Sequence, residues 1–184
     1  MTTIIVTRNT NIGSINELIE LINKHGSENV TIKSMYNLLS SSNCSVQELY
    51  NLLQVLNSES AGVLINNILD DNRLYNKVLE NSEFTETQIN EHLYDIAVAK
   101  KAHIQNLRTS TTIEQLNKLA EANIAPLYYI EELPVIDLSF IQKYGEQMDL
   151  WGVVRNSRNM DVVAFALKLL HNKGGIIYDV EYFS

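Results

Sequence analysis

The sequence predicts a mainly α-helical protein, an irregular, solenoid-like helical repeat stack of about eight or nine short helices with a short β-strand at each terminus. Three observations carry this expectation. A helix-start signal recurs along the chain, apolar residues follow each start at helical spacing, and runs rich in β-branched residues stand at the two ends.

The start signal is the capping box. A helix leaves its first backbone N–H groups unpartnered, and Ser or Thr at the N-cap with Glu or Gln three positions later satisfies two of them reciprocally. Ser14 with Glu17, Ser45 with Glu48, Thr85 with Gln88 and Thr112 with Gln115 have this form. Behind each cap the apolar residues share one face of a 3.6-residue spiral. Leu18, Leu21 and Ile22 follow Ser14; Leu49, Leu52 and Leu53 follow Ser45; Ile89, His92 and Leu93 follow Thr85; Leu116, Leu119 and Ala120 follow Thr112. Cys44 and Phe84, just before two of the caps, stand where a hydrophobic staple to Leu49 and Ile89 forms.

In chain order, "TTIIVT" within residues 1–9 predicts a strand, and helices fill 14–172. Capping residues without the reciprocal Glu or Gln predict further helices: Thr31 before Met35, Leu38 and Leu39; Ser60 before Leu64 and Ile68; Asp71 before Tyr75, Val78 and Leu79; Asn159 before Val163, Ala166 and Leu167. No strong breaker separates Thr85 from Leu107, which predicts one longer helix there. Pro126 and Pro134 bracket a broken stretch with one helical turn. Gly174 and Gly175 end the last helix, and "IIYDVEYF" within 176–183 alternates apolar with acidic residues as a strand does. The two terminal strands are free to pair with each other or to meet a partner chain. A short helix with one apolar face must bury it against neighbours, so residues 1–184 are expected to form a single helical-repeat domain.

Composition narrows the function. With 45% hydrophobic and 20% charged residues the chain is built to fold. A formal charge of −8 opposes affinity built on neutralising phosphates, so no direct nucleic-acid binding is expected. The single cysteine, Cys44, excludes an intramolecular disulfide or a Cys cluster. No apolar run approaches a membrane span and no apolar leader is visible, which predicts a cytoplasmic protein without membrane contact.

No catalytic constellation emerges. His25, His92, His103 and His171 lack metal-ligand spacing, and His92 reads as a packed, hydrogen-bonded residue of an apolar face. Cys44 suits the staple better than a nucleophile. The adjacent acids Asp70–Asp71 and Glu131–Glu132 do not face each other on a helix, and Asp179 with Glu181 lie on one face of the last strand. The stretch from Thr31 to Leu56 has the outline of a helix-turn-helix, but its second helix offers Gln47 beside Glu48 and no basic residue. The expectation is therefore no enzyme, no cofactor and no metal.

The segment "LSFIQKYGEQMDLWGVVRNSRNMDVVAFALKL", Leu138 to Leu169, resembles the degenerate L-S-x-x-F-I-x-K-Y repeats of bacteriophage and large DNA virus proteins. "RNSRNMDVVAFAL" is also similar to the leucine-rich repeat variant unit. Asn156 matches its Asn and Asn159 its cap, while Met160 and Asp161 stand where prolines are expected. The resemblance implies an all-helical, superhelical binding scaffold of phage origin, acting in the host cytoplasm. The iron–sulfur cluster of some variant-repeat proteins needs cysteines that this chain lacks.

The partner-binding residues are expected at Tyr128, Tyr129, Glu131 and Glu132, because two adjacent tyrosines on a short irregular segment cannot both point inward. The expected function is docking on a host or viral protein. Self-association of a virion component through the terminal strands, giving a homo-oligomer, is the alternative, and a helix-turn-helix DNA-binding regulator the second.

Overall fold

Helices begin where the capping rule marks them at Ser14, Ser45, Thr85 and Thr112 in the computed structural model, which describes residues 3–7, 9–34, 38–39, 45–80 and 82–174. The chain runs β1 (Ile4–Val6), α1 (Ile15–His25), β2 (Val30–Ile32), α2 (Val46–Val55), α3 (Ser58–Asp70), α4 (Asn72–Glu80), α5 (Glu86–Lys100), α6 (Ile113–Glu121), α7 (Leu138–Tyr144), α8 (Leu150–Asn156) and α9 (Met160–Asn172). The fold is mainly helical, with one two-stranded sheet among the described residues. Met35, Tyr36, Cys44, Gly175 and the strand expected at 176–183 lie outside the described residues.

Three of the four boxes close reciprocally, at Ser45, Thr85 and Thr112. At Ser14 the hydroxyl accepts from the Glu17 N–H, but the Glu17 carboxylate accepts instead from the Gly13 N–H at 2.8 Å. Asp71 caps α4 and Asn159 caps α9 as expected. Asp137 and Asp149 cap α7 and α8, two starts that carry no Glu or Gln at the third position and so lack the box.

Three expectations change. Thr31 is not a helix cap, because it lies in β2, paired in parallel with β1 in the register Ile4–Val30, Ile5–Thr31 and Val6–Ile32. Buried Val30 and Ile32 alternate around it, the period of a strand. The N-terminal strand therefore finds its partner 26 residues on, across α1. Ser60 is likewise no cap: Asn57 caps α3, and buried Ser60 accepts the Ile32 N–H at 3.0 Å, closing the outer edge of β2. Finally, the helix begun at Thr85 stops at Lys100. Lys101 takes a left-handed conformation (φ 53°), and the Ala102 N–H returns to the Ala97 carbonyl at 2.8 Å.

The connection beyond that helix end is held by tertiary contacts. The buried Asn66 amide of α3 donates to the His103 carbonyl and accepts from the Gln105 N–H, at 2.9 and 2.8 Å. Asn90 and Tyr94 of α5 hold Ser110 and Thr111 further along the same connection.

Two apolar clusters form the core. The first gathers β1, β2 and α1 to α5 around residues such as Leu18, Leu49, Leu53, Leu64 and Tyr94; the second gathers α7, α8 and α9 around Phe140, Ile141, Val153 and Val162;. Helix α6 joins them, giving Leu119 to the first and Leu116 and Ala120 to the second. One apolar face of this short helix thus meets both clusters, Leu119 at one border and Leu116 with Ala120 at the other.

Candidate functional site

Between α6 and α7 the apolar residues recur every third position. Leu127, Ile130, Leu133 and Ile136 are all buried in the second cluster. A period of three is that of a 3₁₀ turn, and Leu127–Tyr129 forms one, closed by the Tyr129 N–H on the Pro126 carbonyl at 2.8 Å. With that row facing inward, the residues between are turned out. Tyr128 is 57% and Tyr129 72% exposed, their rings edge-to-face at 5.1 Å. The paired tyrosines thus protrude together as an aromatic corner.

Glu131 and Glu132 diverge from this corner. Glu132 is exposed and, with Leu133 and Pro134, forms one wall of a cleft of about 590 Å³ whose other wall is the α8–α9 turn, Asn156 to Asn159. Glu131 is half-buried over Gly152 of α8. A Cβ on Gly152 would fall 2.4 Å from the Glu131 Cγ and 3.0 Å from the Asp149 Oδ2, so only glycine leaves room for both acids. Asp149 Oδ1 accepts the Gly152 N–H at 3.1 Å. Glu131 Oε2 is buried and accepts no hydrogen bond. Trp151, beside Gly152, is 44% exposed, and Met160 beyond the cleft is 74% exposed.

The four expected partner-binding residues are therefore brought to one corner, three of them exposed and Glu131 turned partly inward. Sequence reasoning missed Asp149 and Gly152. The signal for Asp149 was present, an Asp preceding an apolar helix, but its meeting with Glu131 depends on how the 127–136 segment packs on α8.

In comparisons with family models, curated proteins and solved structures, no family model, protein or structure matches this chain.

Elsewhere the titratable groups are dispersed. Among the described residues no three His, Cys, Asp or Glu side chains gather as metal ligands would. His25 and His171 lie exposed in the last turns of α1 and α9, and His103 lies beyond α5 rather than on it. His92 is exposed, packed between the rings of Tyr50 and Phe84 at 5.0 and 5.2 Å. Burial pushes the Tyr50 phenol up to about 12. A shallow polar groove of about 410 Å³ runs between α3 and residues 101–105, where Asn66 is spent on holding the backbone. Lys100, its ammonium pushed down from the usual lysine value by burial, donates to the Gln54 and Leu56 carbonyls at the end of α2. No helix among the described residues is long and apolar enough to cross a membrane.

Proposed function

We propose that this chain is a non-enzymatic protein-binding scaffold, a helical stack that docks on a host or viral protein through the corner formed by Tyr128, Tyr129, Glu131 and Glu132. The supporting observation is the exposed tyrosine pair, 57% and 72% open to solvent in a chain that buries Tyr75 and Tyr94 completely. A tyrosine ring combines a large apolar area with a polar handle, which is why Tyr and Trp are enriched at interfaces. A phage-encoded accessory role in the host cytoplasm is the setting this reading adopts, on the resemblance of Leu138 to Leu169 alone.

The test is affinity capture from expressing or infected cells with the wild-type chain and a Tyr128→Ala/Tyr129→Ala variant of unchanged circular dichroism. A stoichiometric partner retained by the wild type and lost by the variant supports the reading. Equal capture by both refutes it.

One observation favours self-association as a second reading. Ile5 is 51% exposed on β1, whose outer edge faces away from β2. An open, apolar strand edge is a template for another strand. Light scattering of Ile5→Lys against wild type decides it: oligomers present in the wild type and absent in the variant favour assembly through this edge, and equal behaviour opposes it. The α2 helix carries no Lys or Arg and so does not support DNA reading.

A further inference from the structure

Helix α9 carries a second apolar face that the described residues leave uncovered. Behind the four capping boxes, the residues four and eight positions after the cap are all buried: Leu18 and Ile22, Leu49 and Leu53, Ile89 and Leu93, Leu116 and Ala120. The same positions after the Asn159 cap of α9 are Val163 and Leu167, and both are only half-buried. Neither packs against an apolar cluster of the described residues. The side of α9 that enters the core is instead Val162, Ala166 and Leu170. Met160, 74% exposed, and exposed Ala164 join Val163 and Leu167 in a stripe at positions i, i+3, i+4 and i+7. A helix that is apolar on both sides is built to be covered on both sides.

The chain that follows α9 is placed to supply the cover. The Gly174 N–H donates to the His171 carbonyl at 3.0 Å, and Gly174 takes φ 75°, the left-handed turn that lets a backbone reverse after a helix. Residues 175–184 lie outside the described residues, and within them "IIYDVEYF" alternates Ile176, Tyr178 and Val180 with Ile177, Asp179 and Glu181. The 13 residues of α9 span about 20 Å, and the eight of this segment span about 26 Å when extended, so it reaches past Met160. Alternate residues of an extended chain recur about every 6.6 Å, close to the rise of about 5.4 Å per helical turn, so three of them can meet three turns.

We propose that residues 176–183 fold back along α9 and cover this stripe, with Ile176 over Leu167, Tyr178 over Val163 and Ala164, and Val180 over Met160. Asp179 and Glu181, alternating with these, then keep to the side away from the helix. Tethered to the stripe by a single turn, the segment acts as an intramolecular ligand at an effective concentration on the order of millimolar, which favours it over a second copy of the chain. The inference does not depend on the docking reading above, and it leaves the C-terminal segment unavailable for pairing with β1 or with another chain.

The test is a thermal melt of the full chain carrying Tyr178→Asp, Leu167→Glu or both, with light scattering beside it. Each replacement puts a charge into the contact without touching the core. Each single variant is expected to lower the melting midpoint by about 2–6 °C at every protein concentration, and the pair to fall no further than the larger single effect, because either change releases the whole segment. An unchanged midpoint with either single variant, or two effects that simply add, overturns the inference. So does a dimer that Leu167→Glu dissociates, because a second copy then covers the stripe.

Discussion

Replacing Asn90 with Ala is expected to cost this protein more than any surface change outside the tyrosine corner. Asn90 is fully buried in α5, where its Oδ1 accepts from the Tyr75 hydroxyl at 2.7 Å and its Nδ2 donates to Ser110 Oγ at 2.9 Å. It ties α4, α5 and the connection before α6 together through one side chain. The alanine removes both bonds, at about 1 kcal/mol net each, and strands polar groups whose desolvation costs a further 1–2 kcal/mol or so. Tyr75 keeps the Glu86 carbonyl, at 3.2 Å. The sum is about 3–4 kcal/mol, equivalent for a chain of this size to a fall of about 6–16 °C in melting midpoint. Urea denaturation reads it as a lower midpoint with an unchanged slope. The coupling is checked with Tyr75→Phe in a double-mutant cycle, where the two residues should interact by about 0.5 kcal/mol or more. A loss below about 1 kcal/mol, or strict additivity, would refute the closed network.

Three further outcomes follow from other sites. Gly152→Ala places a methyl 2.4 Å from the Glu131 Cγ, so the variant should lose about 1–3 kcal/mol and shift Trp151 emission; an unperturbed spectrum contradicts the close approach. Ser45→Ala opens the α2 capping box and should cost about 1 kcal/mol at neutral pH. The Ser45 backbone N–H, with its hydroxyl, holds Glu48 below the usual carboxylate value of 4.5, so its contribution is present above pH 4.5 and is lost as pH falls below it. The wild type should therefore lose more stability than Ser45→Ala across that acid range in parallel melts. At the alkaline end, burial pushes Tyr75 up to about 12 from 10.0. A raised folded value means stability complete below pH 10.0 and lost as pH rises toward 12, by on the order of 2 kcal/mol at Tyr75. Tyr75→Phe should flatten that slope in alkaline denaturation, and an unchanged slope contradicts it.

The candidate site was half legible. Tyr128 and Tyr129 were marked by their adjacency on a segment without helical period, and they are exposed for that reason. The buried row Leu127, Ile130, Leu133 and Ile136 is also written in the sequence, at a spacing of three that belongs to neither an α-helix nor a strand. By contrast Glu131 and Asp149 stand far apart in the chain, and no local rule brings them to Gly152.

The sequence by itself determined where helices begin and which side of each is apolar. Caps and amphipathic faces are satisfied within a turn or two of the same chain, so Ser45, Thr85, Thr112 and Asn159 needed no neighbour to act. The tertiary structure decided everything that depends on a distant donor or acceptor. Thr31 became part of a strand because β1 was there to pair with it. Ser60 left the cap to close the edge of β2. The α5 helix ended early beside a connection that Asn66, 37 residues before His103, holds by its backbone. Backbone polar groups must be paired when buried, and where the partner lies across the fold only the packed chain can name it.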